Sequence, residues 1–385
     1  MPLQDHHQLI SVDDHLVEPP HLWEQWLPAD LRDRGPQVVE EDRGDQPPAQ
    51  VWHYAGRRFP QIGLNAVAGK KPEEFGIDPV RYDHMLPGCW EPEARVIDMD
   101  IDGVQAQLCF PSFPRTAGAA FIEGVVKEGD DPKLALACVR AWNDFQLQEW
   151  CSVAPGRFIP VVMLPLWDVD ASVAEIERTA ALGARTVTFP ENTVPLGLPS
   201  FHTDHWDPLF AAAADAQMPL SMHFGSSGQG PLTAPEAPLA VVITLFGCNS
   251  MYAAADLMFS PVFHRHPNLK VAFSEGGIGW VPYLLERADY TWERHRFYQN
   301  VDQTTRPSDL FRSNMWVCFI DDEHGLASRH EIGVGNITWE CDYPHSDSNW
   351  PNSRKRAAEL LEDVPDDEAQ RIVELNAREL FGLPR

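Results

Sequence analysis

The chain has 385 residues, 44% of them apolar, which allows a large buried core and suits an α/β barrel with insertions better than one small unit. Thirty Lys and Arg stand against 57 Asp and Glu, a formal net charge of −27. That balance argues against a phosphate-binding stripe, hence against nucleic acid, and weakly against an anionic membrane surface.

Seven cysteines are scattered without a C-x-x-C pair; Cys109, Cys318 and Cys341 lie in apolar runs and read as buried small hydrophobes, and a reducing cytoplasm is the expected setting. The first eight residues hold no signal-peptide core, and the apolar stretch 239–246 is too short to span a bilayer. No membrane partner is expected.

In chain order, apolar β-branched runs occupy residues 10–15, 104–112, 158–166, 186–190, 220–224, 269–275, 315–321 and 337–342. Most are apolar on both faces, as strands of a buried parallel sheet are. Helical patterns fall between them, at 131–153, 169–182, 208–217, 281–299 and 366–380. Eight such alternations predict a (β/α)8 TIM barrel, one domain over 1–385. No Gly-x-Gly-x-x-Gly follows the first run, so the dinucleotide signature of a doubly wound sheet is missing. Long insertions follow the first strand (19–95, expected to cover the barrel mouth) and the fifth (225–266).

Barrels place their chemistry at the C-terminal strand ends, where this chain puts ionisable groups. Asp13 and His15 alternate onto one face, with Glu18 three residues on. His223 closes the fifth run, Glu275 the sixth and Asp342 the eighth, with His345 three residues later. Each alone has a plainer role as a strand-end or helix cap. Together they outnumber the four ligands of a closed zinc site, and an oxygen-rich donor set suits iron or manganese. His324, Asn192 and Arg115 sit on neighbouring loops without a motif.

Taken in order, Asp13-x-His15-x-x-Glu18-Pro19, His223, Glu275-Gly276-Gly277, Asp342-Tyr343-Pro344-His345 and Asn376-Ala377-x-x-Leu380-Phe381-Gly382 resemble the amidohydrolase-related TIM-barrel family. The resemblance implies metal ligation by Asp13, His15, His223 and Asp342. Hydrolytic and decarboxylating members usually carry histidine where this chain has Glu275. With Glu18 and His345 added, the pattern is similar to a smaller branch, the TIM-barrel non-haem diiron monooxygenases of platensimycin and platencin biosynthesis.

That similarity implies two irons held by Asp13, His15, Glu18, His223, Glu275, Asp342 and His345. It also implies dioxygen, an external reductant and a hydrophobic acyl-CoA substrate, whose phosphates Arg57, Arg58, Lys70 and Lys71 could bind. A mononuclear zinc or manganese hydrolase or non-oxidative decarboxylase is the second expectation, with Glu275 or His345 handling protons. A non-catalytic binding barrel is the third. Barrels of this type often form homodimers, an expectation by analogy.

Overall fold

The computed structural model describes residues 3–228 and 230–384. Strand β1 (Leu9–Leu16) is followed by β2 (Gln37–Arg43), β3 (Gln46–Tyr54) and β4 (Arg57–Pro60), which form a separate antiparallel sheet. Then come β5 (Val104–Pro111), β6 (Val161–Val162), β7 (Thr186–Thr188), β8 (Leu220–His223), β9 (Val271–Ser274), β10 (Met315–Phe319) and β11 (Ile337–Trp339). The eight parallel strands run in the order β5-β1-β11-β10-β9-β8-β7-β6. A parallel bridge between Gln107 and Phe158 links the two ends of that order, so the sheet curls into a nearly closed (β/α)8 barrel. All eight predicted runs are barrel strands.

Every residue of β1 is buried, as is every residue of β8 and β9. Helices cover the outside, and their starts follow local chemistry. The Asp131 carboxylate accepts the Lys133 N–H at 3.0 Å to begin one, and Asp168 accepts that of Ala171 to begin the next.

The first insertion carries the β2–β4 sheet, which sequence patterning does not foresee. Ala55 and Gly56, both at positive φ, make the two-residue turn between β3 and β4. Trp52 and Tyr54 of β3 join Trp23, Phe113 and Phe121 in a core continuous with the barrel.

In the second insertion the apolar stretch is longer than the sequence reading allows. Helices Leu239–Thr244 and Phe246–Phe259 follow each other directly, and together they are long and apolar enough to cross a membrane by length and composition. Only 28% of the most apolar part of that stretch is buried.

Candidate metal centre

Strands β1 and β11 are neighbours, and their backbones stay tied beyond the last ladder residues. The Asp342 N–H donates to the Asp13 carbonyl at 2.8 Å, and the His15 N–H to the Tyr343 carbonyl at 2.7 Å. This seam sets Asp13, His15, Asp342 and His345 side by side, although they come from opposite ends of the chain. His223 enters from the end of β8 and Glu275 from just past β9.

The donor atoms crowd one point. His15 Nε2 lies 2.9 Å from His223 Nε2, 3.5 Å from Asp13 Oδ1 and 3.6 Å from Asp342 Oδ1. His223 Nε2 is 3.6 Å from Asp13 Oδ2 and 3.1 Å from Glu275 Oε2. His345 Nδ1 is 3.0 Å from Asp342 Oδ1, and its ring stacks on His15 with centroids 3.8 Å apart. Ligands each about 2.1 Å from one ion stand about 3–3.5 Å from one another, close to these separations.

Hydrogen-bond accounting supports the same reading. Both carboxylate oxygens of Asp13, both of Asp342 and Nε2 of His345 are buried with no hydrogen-bond partner among the described residues. Such groups are costly unless something meets them. The His223 Nδ1 lies 2.6 Å from the Phe224 carbonyl and donates to it, which leaves the Nε2 lone pair facing the cluster. Glu275 and Asp342 also hold left-handed backbone conformations, φ +58° and +57°, uncommon for non-glycine residues and concentrated at functional sites.

The protein's own charges set an unusual field. Burial, then the Glu340, Asp342 and Glu275 carboxylates, push the Asp13 pKa well above the ordinary range. Burial and Glu275 do the same to Asp342. Burial and the His345 and His223 rings hold His15 well below its usual value, and burial takes His345 down to about 4. For His223 burial is the largest single effect and works downward, but Glu275, the Phe224 carbonyl and Asp342 together raise the pKa. A divalent cation at the centre would reverse this logic and keep the carboxylates ionised.

Glu18 stands apart from the cluster. Its oxygens accept the Ser112 and Phe113 N–H groups at 3.1 and 2.7 Å and the Trp142 indole N–H at 3.1 Å. Arg57 is paired with Asp130, and Arg58 with Glu41 at 2.6 Å. Both arginines are therefore already engaged by carboxylates. Lys70 is half-buried and Lys71 exposed, on the stretch that leads into a single 3-10 turn. Arg115 pairs with Glu123, and His324 sits exposed at the start of the helix after β10.

Three residues that support the site are not singled out by sequence. Glu340, buried two positions before Asp342, accepts the Glu275 N–H at 3.1 Å; burial raises its pKa to about 7. Arg95 is fully buried, donates to the His15 and Gly88 carbonyls, and stacks over Tyr343 at 4.3 Å. Asp14 accepts from Gln107 and from the Tyr343 N–H. The alternation that turns Asp13 inward is the one available signal for Glu340. Arg95 has none, because its partners come from distant segments.

An open cleft of about 420 Å³ reaches Glu275 from the β9–β11 side, lined by Glu275 and Glu340 together with Ile243, Thr244 and Phe246.

The chain was compared with known proteins. A family model described as Amidohydrolase matches residues 20–383. The gamma-resorcylate decarboxylase of Rhizobium sp. (strain MTP-10005) is 23% identical over 333 residues, covering 81% of this chain and 97% of that protein. Among solved structures, an amidohydrolase from Mycobacterium avium subsp. paratuberculosis K-10 superposes with a TM-score of 0.77 at 22% identity, over 98% of this chain and 100% of that one. A dihydroxybenzoic acid decarboxylase from Polaromonas sp. JS666, with bound manganese and the inhibitor 2-nitroresorcinol, gives 0.62 at 19% identity over 98% of each chain.

These findings overturn the monooxygenase expectation. The relatives are decarboxylases, not members of the platensimycin-type branch, and a bound metal among them is manganese. The diiron centre, dioxygen, the external reductant and the acyl-CoA substrate lose their support with it. With a family match that runs from Pro20 to Leu383, nearly the whole chain, the protein belongs to the amidohydrolase family.

Proposed function

We propose that the protein is a metal-dependent, non-oxidative decarboxylase of a small aromatic or comparably unsaturated carboxylic acid. The observation that carries this reading is the set of buried carboxylate oxygens and imidazole nitrogens left without partners at the barrel mouth. Decarboxylases of such acids among the relatives give the set its chemistry.

Asp13, His15, His223 and Asp342 would hold the ion, manganese or zinc, since no thiolate belongs to the set. When bound, a divalent ion there supplies a Lewis acid that polarises the substrate's oxygens. His345 orients Asp342 through the 3.0 Å contact, and Phe110, packed 5.9 and 5.1 Å from the His15 and His223 rings, keeps that side dry.

Glu275 lines the cleft with Oε2 beside His223. Its carboxyl is placed to deliver a proton to the carbon that loses its carboxylate. The carbon–carbon bond breaks, the electron pair stays on that carbon, the proton joins it and carbon dioxide departs, so no electrons are exchanged with an outside partner.

We also read 1–385 as one catalytic unit working in a reducing compartment, which suits the seven unpaired cysteines. The test is release of carbon dioxide from a panel of hydroxylated benzoates under argon, before and after chelation and with manganese or zinc returned. Oxygen-independent release that chelation abolishes is expected. Turnover that demands oxygen and a reductant, or none with any acid in the panel, would overturn the proposal.

A further inference from the structure

We propose that a chamber beside the inserted β2–β4 sheet is a second part of the substrate site, and that it takes an uncharged apolar substituent, alkyl or aryl, carried on the ring of the acid. The inference rests on the decarboxylase reading for the acid and on the fold for the chamber.

The chamber, of about 260 Å³, lies over the β1–β5 side of the mouth, between the β3–β4 hairpin and the residues that follow β1 and β5. Three observations tie it to the metal centre. Val17, which lines it, comes two residues after His15. Ser112, also in its wall, comes two residues after Phe110, the ring packed against His15 and His223. Two residues of extended chain advance about 6–7 Å, so the chamber lies one step beyond the donor cluster. On a third side the turn Gly63–Ala66 supplies Ala66 to the wall. The next residue, Val67, donates its N–H to the Pro344 carbonyl at 3.0 Å, within the loop that runs from Asp342 to His345.

The walls select the occupant. Trp52 and Phe113 stack with ring centroids 5.1 Å apart, and the Phe59 ring meets Phe113 edge-on at 5.2 Å. Both cations of the lining are already paired, Arg58 with Glu41 at 2.6 Å and Arg115 with Glu123. A charged group there would lose its hydration without gaining a partner, whereas an apolar group is stabilised by leaving water. Pockets for whole small ligands usually run from about 300 to 1,000 Å³, so this one suits a substituent while the carboxylate stays at the ion. The substrate is then larger than a simple hydroxybenzoate.

The test compares kcat/KM of the manganese-loaded protein for 2,6-dihydroxybenzoate and for derivatives carrying propyl or pentyl at ring carbon 3 or 4. At least one derivative should gain about 10-fold or more, and ending its chain in a carboxylate should cancel the gain. Val80→Trp, at a half-buried position in the wall, should shift the preference towards the shorter chain, and Val80→Ala towards the longer one. Misfolding would slow all the acids alike and shift no preference. Equal turnover of parent and alkylated acids, or a preference that neither Val80 variant moves, would overturn the inference and leave the decarboxylase reading standing. If no acid is decarboxylated, calorimetry with 4-pentylphenol decides: saturable binding that Val80→Trp weakens upholds the chamber alone, and no binding overturns it.

Discussion

Two groups of acidic side chains occupy the same end of the barrel and behave in opposite ways. Glu18, Glu191 and Asp322 are saturated with donors. Glu191 takes the Ser227 N–H at 2.7 Å, the Ser227 hydroxyl at 2.8 Å and the Asn249 amide at 2.9 Å. Asp322 takes the N–H groups of Ile278, Gly279 and Gly325. Asp13 and Asp342 take none with their oxygens. Saturated carboxylates pin loops, and the bare ones are those proposed to meet the ion. What surrounds each oxygen, rather than burial, separates scaffold from chemistry.

The largest effect should come from removing a nitrogen donor. His223→Ala is expected to lose both bound metal and turnover, read by elemental analysis beside the carbon dioxide assay; full metal content would break the comparison.

Next comes a pair of isosteric changes with opposite signs. Asp13→Asn should abolish metal binding yet stabilise the metal-free protein, because it removes an unpaired buried charge among like charges. Glu191→Gln should leave metal content intact but destabilise the protein, since its second oxygen becomes a donor facing donors. Each shift should be about 1–3 kcal/mol by chemical denaturation, and equal signs would refute the distinction.

A smaller, pH-resolved effect belongs to Glu18, whose pKa burial raises from 4.5 to about 8 against the pull of its three donors. The folded state then holds a proton that the unfolded chain releases. The contribution of Glu18 to stability is therefore present below about pH 4.5 and lost as pH rises towards about 8. Glu18→Gln should flatten that slope, measured as melting temperature against pH. The smallest effect is expected for Arg57→Gln, which breaks a part-buried ion pair with Asp130 near the surface and should cost about 1 kcal/mol. An increase in KM would show that Arg57 meets substrate.

Much of the barrel was legible because its strands are apolar on both faces and end in ionisable groups, a pattern that needs no tertiary knowledge. Asp13, His15, His223 and Asp342 each carried that signal. Glu18 shares the motif's spacing, but the chain turns at Pro19-Pro20 and its carboxylate meets backbone donors just past β5 instead. The small sheet escaped notice for a related reason. Pro47 and Pro48 argue against a strand, yet they lie in the part of β3 that pairs only with β2, where one edge needs no donor. Arg57 and Arg58 looked like a basic patch, but Asp130 and Glu41 approach from distant positions.

The seam between β1 and β11 ties catalysis to the order in which the polypeptide is made. Asp13 and His15 leave the ribosome more than three hundred residues before Asp342 and His345. A growing chain therefore carries only half of the proposed donor set over that interval, and a product cut short before the final strand would lack the oxygens and imidazole of Asp342 and His345.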